Sequence, residues 1–158
     1  MGELEGIVKK KNVSGDVETS NRQLPEFWGE CWTDKTMLKL FERNPKEGIF
    51  GDALLGLCLS EIPQANEFVY AIGMMYDGGP VAEELSVEKI PAHTWAVFEC
   101  VGPIPEAFQK MQHTVYSEFF PSSEYQPSSG LDIQVYPTGD MQSDKYVCQL
   151  WIPIERNL

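Results

Sequence analysis

One amide side chain interrupts an apolar run near the end of the chain, where a buried polar group would be unfavourable without a hydrogen-bond partner. The run is KYVCQLWIPI at 145–154, and the amide is Gln149. A buried amide costs free energy unless it is hydrogen-bonded. Gln149 therefore indicates one of two surfaces: a strand face wetted by solvent, or a small-molecule pocket with an aromatic wall and one oriented polar group.

Strand alternation decides which side chains accompany this amide. Gln149 shares a face with Trp151, while Cys148, Leu150 and Ile152 share the opposite face, which suits packing against a helix. Flat aromatic rings stack on planar ligands and attract cations. Trp95 and Trp151 are therefore predicted ligand-binding residues, although a core role is the alternative for either.

Other residues able to carry chemistry are sparse. Glu99 in AVFEC has the parity of Trp95 and is a candidate general base, with a solvent-exposed edge carboxylate as the alternative. The two histidines lie apart from any nucleophile pattern, and no GxSxG, CxxC or glycine-rich phosphate loop occurs. The sequence therefore predicts neither a metal nor a cofactor.

Charge and hydropathy exclude several classes of partner. The net charge is −12, from 12 basic and 24 acidic residues, so no cationic footprint for direct nucleic-acid binding is expected. No apolar stretch approaches 18 residues, so no membrane span is expected. The start of the chain lacks the apolar core of a signal peptide, and the four cysteines are widely spaced, which favours reduced thiols and a cytoplasmic location.

The pattern of elements predicts a duplicated α+β fold. We expect strands at 4–12, 53–60, 68–76, 92–101, 131–136 and 145–154, with helices at 23–42 and 105–120 and a loop at 121–130. Pro25 is expected at the first helix start. The length suits one domain, 1–158, made of two βαββ pseudo-repeats at about 1–80 and 81–158. Their strands would form one antiparallel sheet with both helices on one face.

The other face of that sheet is expected to form a central ligand groove. Aligning the two repeats places Ala71 and Gly73 opposite Gln149 and Trp151. Small residues beside a large ring would leave volume for a ligand. Tyr136 could donate a hydrogen bond there, or cap the sheet edge. Trp32 and Phe27 on the first helix are further ligand-contact candidates, for which a core role is the more ordinary expectation.

Four segments carry a resemblance to a known family. IPAHTWAVF at 90–98, VGPI at 101–104, LDIQVYP at 131–137 and the closing strand 147–154 are similar, in this order, to segments of the GyrI-like small-molecule-binding domain. The first half matches mainly in the order of its elements. The resemblance implies two βαββ units around a central groove. The groove would bind lipophilic, often cationic, small molecules, such as amphiphilic aromatic drugs.

Within this resemblance, the chain differs from its relatives at the two positions where a catalytic carboxylate would be expected. Relatives commonly have glutamate where this chain has Gln134 and Gln149, and such a carboxylate would neutralise a cation or activate water. An amide keeps the hydrogen-bonding reach but loses the charge. Two functions therefore stay open: binding or sequestration of a drug or toxin, and hydrolysis of reactive cyclopropane-bearing natural products. The second would use Gln149 or Gln134 as altered catalytic positions, or Glu99 as the base.

Overall fold

The structure is a computed structural model that describes residues 3–45, 49–62, 66–128 and 131–157. Eight strands form its sheet, in agreement with the predicted α+β class: β1 (Leu4–Ser14), β2 (Leu54–Ile62), β3 (Glu67–Met75), β4 (Ser86–Ile90), β5 (Trp95–Val101), β6 (Tyr125–Pro127), β7 (Asp132–Tyr136) and β8 (Val147–Arg156). The strands β4 and β6 were not predicted. The predicted loop 121–130 contains β6, and its residues 129–130 lie outside the described ones.

The sheet is antiparallel, and its strand order is symmetric about the centre. The order is β4-β1-β3-β2-β7-β8-β5, with β6 paired to the end of β8. Reading outwards from the central β2–β7 pair gives β2-β3-β1 on one side and β7-β8-β5 on the other. This symmetry is what two βαββ units would produce. The assignment of the whole chain to one domain stays a prediction.

The first helical region begins earlier than predicted and is broken. Helix α1 (Val17–Thr33) starts after Asp16, whose carboxylate accepts a hydrogen bond from the Thr19 backbone N–H at 3.1 Å. This N-cap sets the start, so the prediction that Pro25 begins the helix is wrong. Lys35 has φ = 68°, which ends α1 and separates it from α2 (Thr36–Glu42).

The second helical region agrees closely with its prediction. Helix α3 (Glu106–Thr114) continues through a π-helical turn (Val115–Phe119) into a final turn (Phe120–Ser122). The π turn adds a residue to the helical repeat and so shifts which side chains after it meet the sheet. Among the described residues, no helix is both long enough and apolar enough to span a membrane.

The sheet separates two apolar clusters, one on each face. The helix face carries Cys148, Leu150 and Ile152 together with residues of α1 and α3, as strand alternation predicted. The second face carries a smaller cluster that includes Leu55, Ala71, Ile133 and Val135, and Phe50 of the segment before β2 packs onto it. Both faces are therefore covered at the centre of the sheet, and the predicted open groove on the second face is partly filled by the protein itself.

Candidate functional site

A row of hydrogen-bonded side chains crosses the helix face beneath α1 and α3. The Trp28 indole N–H donates to the Tyr70 hydroxyl at 3.2 Å, and that hydroxyl donates to Oε1 of Gln134 at 2.9 Å. The Tyr136 hydroxyl donates to the same oxygen at 3.0 Å. We call Trp28, Tyr70, Gln134, Tyr136 and the adjacent Asp132 the polar row.

A glycine makes this row possible. Gly56 is paired with Gln134 across the central strands, and it lies between Gln134 and the hydroxyl of Tyr70 from the next strand. A Cβ atom at position 56 would lie 2.6 Å from Oε1 of Gln134 and would overlap the Tyr70 hydroxyl. Because Gly56 has no side chain, Tyr70 can reach over β2 to Gln134.

Aromatic rings from both helices enclose the row. The Trp28 ring of α1 packs edge-on against Tyr136, with centroids 5.4 Å apart, and the tilted Phe108 ring of α3 lies 6.0 Å from Tyr136. Phe27 packs edge-on against Tyr70 at 6.3 Å. The Tyr116 ring, in the π turn, is 44% exposed. The helices thus bring a polar floor and aromatic walls together, which is the composition of an organic-ligand site.

Asp132 is the carboxyl group of the row. It is buried at the start of β7, directly paired with Cys58 of β2, and its Oδ1 atom has no hydrogen-bond partner among the described residues. Burial raises the pKa of Asp132 to about 7, although hydrogen bonds from Cys58 and the Gln134 side chain oppose this rise. Burial also raises the pKa values of Tyr70 and Tyr136, which keeps both hydroxyls protonated as donors.

The Gln134 amide fits these neighbours better than a carboxylate would. Its oxygen accepts from two tyrosine hydroxyls, and its side chain also hydrogen-bonds to Asp132. An amide can serve donors and an acceptor at once, whereas an ionised carboxylate only accepts. The hydrogen-bond partners around position 134 therefore explain why an amide, and not a carboxylate, is present there.

The predicted site residues divide between the two faces of the sheet. The helix face holds Gln134, Tyr136 and Phe27, whereas Trp32 on α1 is 55% exposed. The second face holds the remaining ones: Trp95, Trp151, Gln149, Glu99, Ala71 and Gly73. The predicted site residues therefore belong to two separate surfaces of the sheet and do not form one site.

On the second face the aromatic residues pack against each other and against the protein. Trp151 lies edge-on to Phe50, with centroids 5.0 Å apart, and 6.0 Å from Trp95. Gln149 accepts a hydrogen bond from the Trp151 indole N–H at 3.0 Å. Gln149 also borders an open depression of about 580 Å³, which Phe50 and Val135 help to line. The ligand-binding roles of Trp95, Trp151 and Gln149 stay predictions.

Two expectations about this face are wrong. Ala71 and Gly73 do not oppose Gln149 and Trp151, because strands β2 and β7 lie between β3 and β8. The volume expected above Gly73 is filled, since a Cβ atom there would lie 2.6 Å from a methyl group of Val8. Glu99 is exposed on the outer strand β5 opposite Gln149, which agrees with the solvent-exposed alternative.

Sequence reasoning missed four members of the helix-face site, which are Trp28, Tyr70, Asp132 and Gly56, and the last two left a signal. Asp132 is an acid inside a strand whose five residues are all buried, and Gly56 interrupts the apolar run ALLGLCLS. Tyr70 left no such signal, because tyrosine is ordinary in a strand. The described residues contain no group of three or more His, Cys, Asp or Glu side chains placed to hold a metal ion.

Comparison with known proteins agrees with this architecture. The family model of the Cass2 integron-associated effector binding proteins matches residues 6–154. The chain belongs to this effector-binding family. Its fold is that of the GyrI-like effector-binding domain, which confirms the resemblance seen in the sequence.

Individual relatives of this effector-binding protein extend the comparison. It is 30% identical over 139 residues to the transcriptional regulator BrlR of Pseudomonas aeruginosa, covering 82% of this chain and 50% of BrlR. The chain thus spans about half the length of that relative.

Two solved structures share its fold. SAV2435, solved bound to tetraphenylphosphonium, superposes with a TM-score of 0.84 at 21% identity, over 98% of this chain and 90% of SAV2435. A transcription regulation protein from Staphylococcus aureus MU50 gives a TM-score of 0.76 at 21% identity, over 98% of this chain and 94% of that one.

Proposed function

We propose that this protein binds lipophilic small molecules carrying aromatic rings, cationic ones among them, between α1 and α3 above the polar row. The observation that carries the proposal is the Trp28–Tyr70–Gln134–Tyr136 hydrogen-bond chain, buried at one end and half-exposed at Trp28. A purely structural core gains little from such a chain, since apolar residues of similar volume would pack there at no desolvation cost.

The ligand would enter by replacing the ring contacts that Trp28 and Phe108 make with Tyr136. The Trp28 indole is half-buried, and Tyr116 is 44% exposed. Both rings can turn outwards without unpairing a strand, because both belong to helices that pack on the sheet. An aromatic ligand would then stack on the exposed ring faces and on Tyr136.

The comparisons support the same class of ligand. The family is described as effector-binding, and SAV2435, which shares this fold, was solved with tetraphenylphosphonium, an aromatic cation. The net charge of −12 favours the approach of cations over anions. Sequestration of drugs or toxins of this kind is the biological role that we infer.

Calorimetric titration with tetraphenylphosphonium tests the proposal. Trp28→Ala should weaken binding at least 10-fold, because a phenyl ring of the ligand loses the indole on which it stacks. Two matched controls, Trp32→Ala on the exposed side of the same helix and Trp151→Ala on the second face, should leave the affinity within about 2-fold of wild type. A loss in Trp151→Ala alone would move the site to the second face, and the absence of binding by wild type would contradict the proposal.

Hydrolysis is a second candidate, favoured by a single observation. Asp132 is a buried carboxyl group whose pKa burial raises to about 7, the range that suits a general base at neutral pH. A cyclopropane-bearing electrophile incubated with wild type and with Asp132→Asn would test it. Ring opening above the buffer rate in wild type only would support hydrolysis, and equal rates in wild type and buffer would exclude it for that compound.

A further inference from the structure

An unsatisfied acceptor lies at one end of the polar row. Asp132 is only 5% exposed, and its Oδ1 atom is buried without a hydrogen-bond partner among the described residues. Leaving a buried acceptor unpaired costs about 1–3 kcal/mol, and more for a charged group. Hydrogen bonds from Cys58 and from the Gln134 side chain reach the Asp132 carboxyl group but leave Oδ1 unpaired, so this one atom is free to accept a hydrogen bond from a ligand.

The side chains that interact with Asp132 include no Lys, Arg or His among the described residues. They are Cys58 on β2, Tyr70 on β3, Tyr116 in the π turn, and Gln134 and Tyr136 on its own strand. None of the ion pairs among the described side chains includes Asp132. An ionised Asp132 would therefore be the single uncompensated charge of the site, and a cationic ligand would supply the missing partner.

An oxygen acceptor distinguishes between kinds of cation. A protonated amine with an N–H can donate a hydrogen bond to Oδ1, and hydrogen bonds between ionised partners are the strong ones. A quaternary ammonium or phosphonium ion of the same shape has no hydrogen to donate. It interacts with the carboxylate through charge alone and leaves Oδ1 unpaired.

We propose that Asp132 accepts a hydrogen bond from the N–H of a protonated amine ligand, and that this contact selects amine cations over quaternary cations. The inference rests on the proposed function, because it requires a ligand at the polar row. It adds that Oδ1 of Asp132 recognises the ligand and that the recognised feature is the N–H of the ammonium group.

Binding is then coupled to the release of a proton. A protonated Asp132 that meets an ammonium ligand loses its O–H proton to solvent, and the carboxylate so formed accepts the ligand N–H; no other bond forms or breaks. Burial places the pKa of Asp132 at about 7, so roughly half a proton leaves per ligand bound at pH 7. The affinity for an ammonium ligand should fall about 10-fold per pH unit well below pH 7.

Three compounds of one shape provide the test: diphenhydramine, its N-methyl quaternary salt, and the neutral analogue with CH in place of the nitrogen. Calorimetry at pH 8 should give wild type at least a 10-fold preference for diphenhydramine over either analogue. Titrations at pH 7 in two buffers with different ionisation enthalpies should show release of about half a proton with diphenhydramine. The neutral analogue should release none.

Variants separate the hydrogen bond from ligand size. Asp132→Asn should abolish both the preference and the proton release, whereas Glu99→Gln, an exposed carboxyl on the second face, should preserve both. A preference that persists in Asp132→Asn, or wild type that binds all three equally without proton release, would overturn the inference while leaving the proposed function intact. If wild type binds tetraphenylphosphonium but none of the three, the inference alone fails, and if wild type binds none of the four, both fail. The preference of wild type for diphenhydramine over its quaternary salt, taken together with the proton count, decides the question even if Asp132→Asn does not fold.

Discussion

Gln134 and Gln149 lie on adjacent, directly paired strands, and their side chains project to opposite faces of the sheet. The register pairs Gln134 with Leu150 and Gln149 with Val135, so the two amides differ by one residue in phase. Gln134 is buried among tyrosine hydroxyls, whereas Gln149 is half-buried beside Trp151. A change from amide to carboxylate should therefore have different consequences at the two positions.

At position 149 the cost of a carboxylate should be small and should come from one neighbour. Gln149 is directly paired with Glu99 of β5 on the second face. Gln149→Glu would set two like charges across the strands, which costs about 0.5 kcal/mol. Urea unfolding should show this loss, and adding Glu99→Gln should recover it. A loss that Glu99→Gln leaves unchanged would mean that the Trp151 hydrogen bond, not charge, is responsible.

At position 134 the cost should be larger and should depend on Asp132. Gln134→Glu places a second carboxyl group beside Asp132 in the buried row, where both cannot ionise together. We expect a loss of about 2–4 kcal/mol at pH 8 by denaturant unfolding. The double variant Asp132→Asn/Gln134→Glu exchanges acid and amide and should recover at least half of the loss. Additive effects of the two substitutions would contradict direct coupling.

Gly56 should tolerate no side chain. A Cβ atom there overlaps the Tyr70 hydroxyl and lies 2.6 Å from Oε1 of Gln134. Gly56→Ala should lower the free energy of unfolding by about 1–3 kcal/mol, because one donor or acceptor of the row must give way. Gly29→Ala is a matched control, since its Cβ would meet nothing within 4 Å on helix α1. That control should gain up to about 1 kcal/mol.

The rescue of Gly56→Ala identifies the clashing group. Tyr70→Phe removes the hydroxyl that the new methyl group would overlap. In the Gly56→Ala background this second change should cost less than it does in wild type. Equal costs in the two backgrounds would show that the methyl group is accommodated by movement of β2 instead.

Local patterns in the sequence were sufficient for most of the fold. Alternation in 145–154 correctly placed Cys148, Leu150 and Ile152 against the helices. The phase of the alternation is well determined, because a shift by one residue would turn all three side chains to the opposite face of the sheet. The predicted start of α1 is wrong, because Pro25 resembles a helix-start signal whereas the Asp16 cap lies nine residues earlier. Short strands such as β6, with three residues, are too brief for a period to be recognised.

The site was predicted less well, because it depends on contacts between distant segments. Parity along one strand shows which residues share a face of that strand, but not which strands are neighbours. Ala71 and Trp151 do share a face, yet two strands separate them. Likewise, the meeting of Tyr70 with Gln134 depends on register across β2 and on the absent side chain of Gly56. None of this is encoded in spacing along the chain.

The buried carboxyl of Asp132 should make stability depend on pH in an unusual direction. Its pKa is raised by burial from an ordinary 3.8 to about 7, so the folded protein holds this proton more tightly than the unfolded chain does. The contribution to stability is therefore complete below about pH 4 and is lost as the pH rises through 7. At about 1.4 kcal/mol per pH unit, the upper limit of the loss is roughly 4 kcal/mol.

Unfolding by urea from pH 5 to pH 9 in wild type and Asp132→Asn measures this term. Asn carries no charge, so its stability relative to wild type should improve steadily up to about pH 8 and then level off. Asp16→Asn provides the contrast, because hydrogen bonds from Thr19 lower the pKa of Asp16 and its difference from wild type should change only at acid pH. A difference between wild type and Asp132→Asn that stays constant across pH 5–9 would show that Asp132 is already ionised throughout, with a partner that neutralises it.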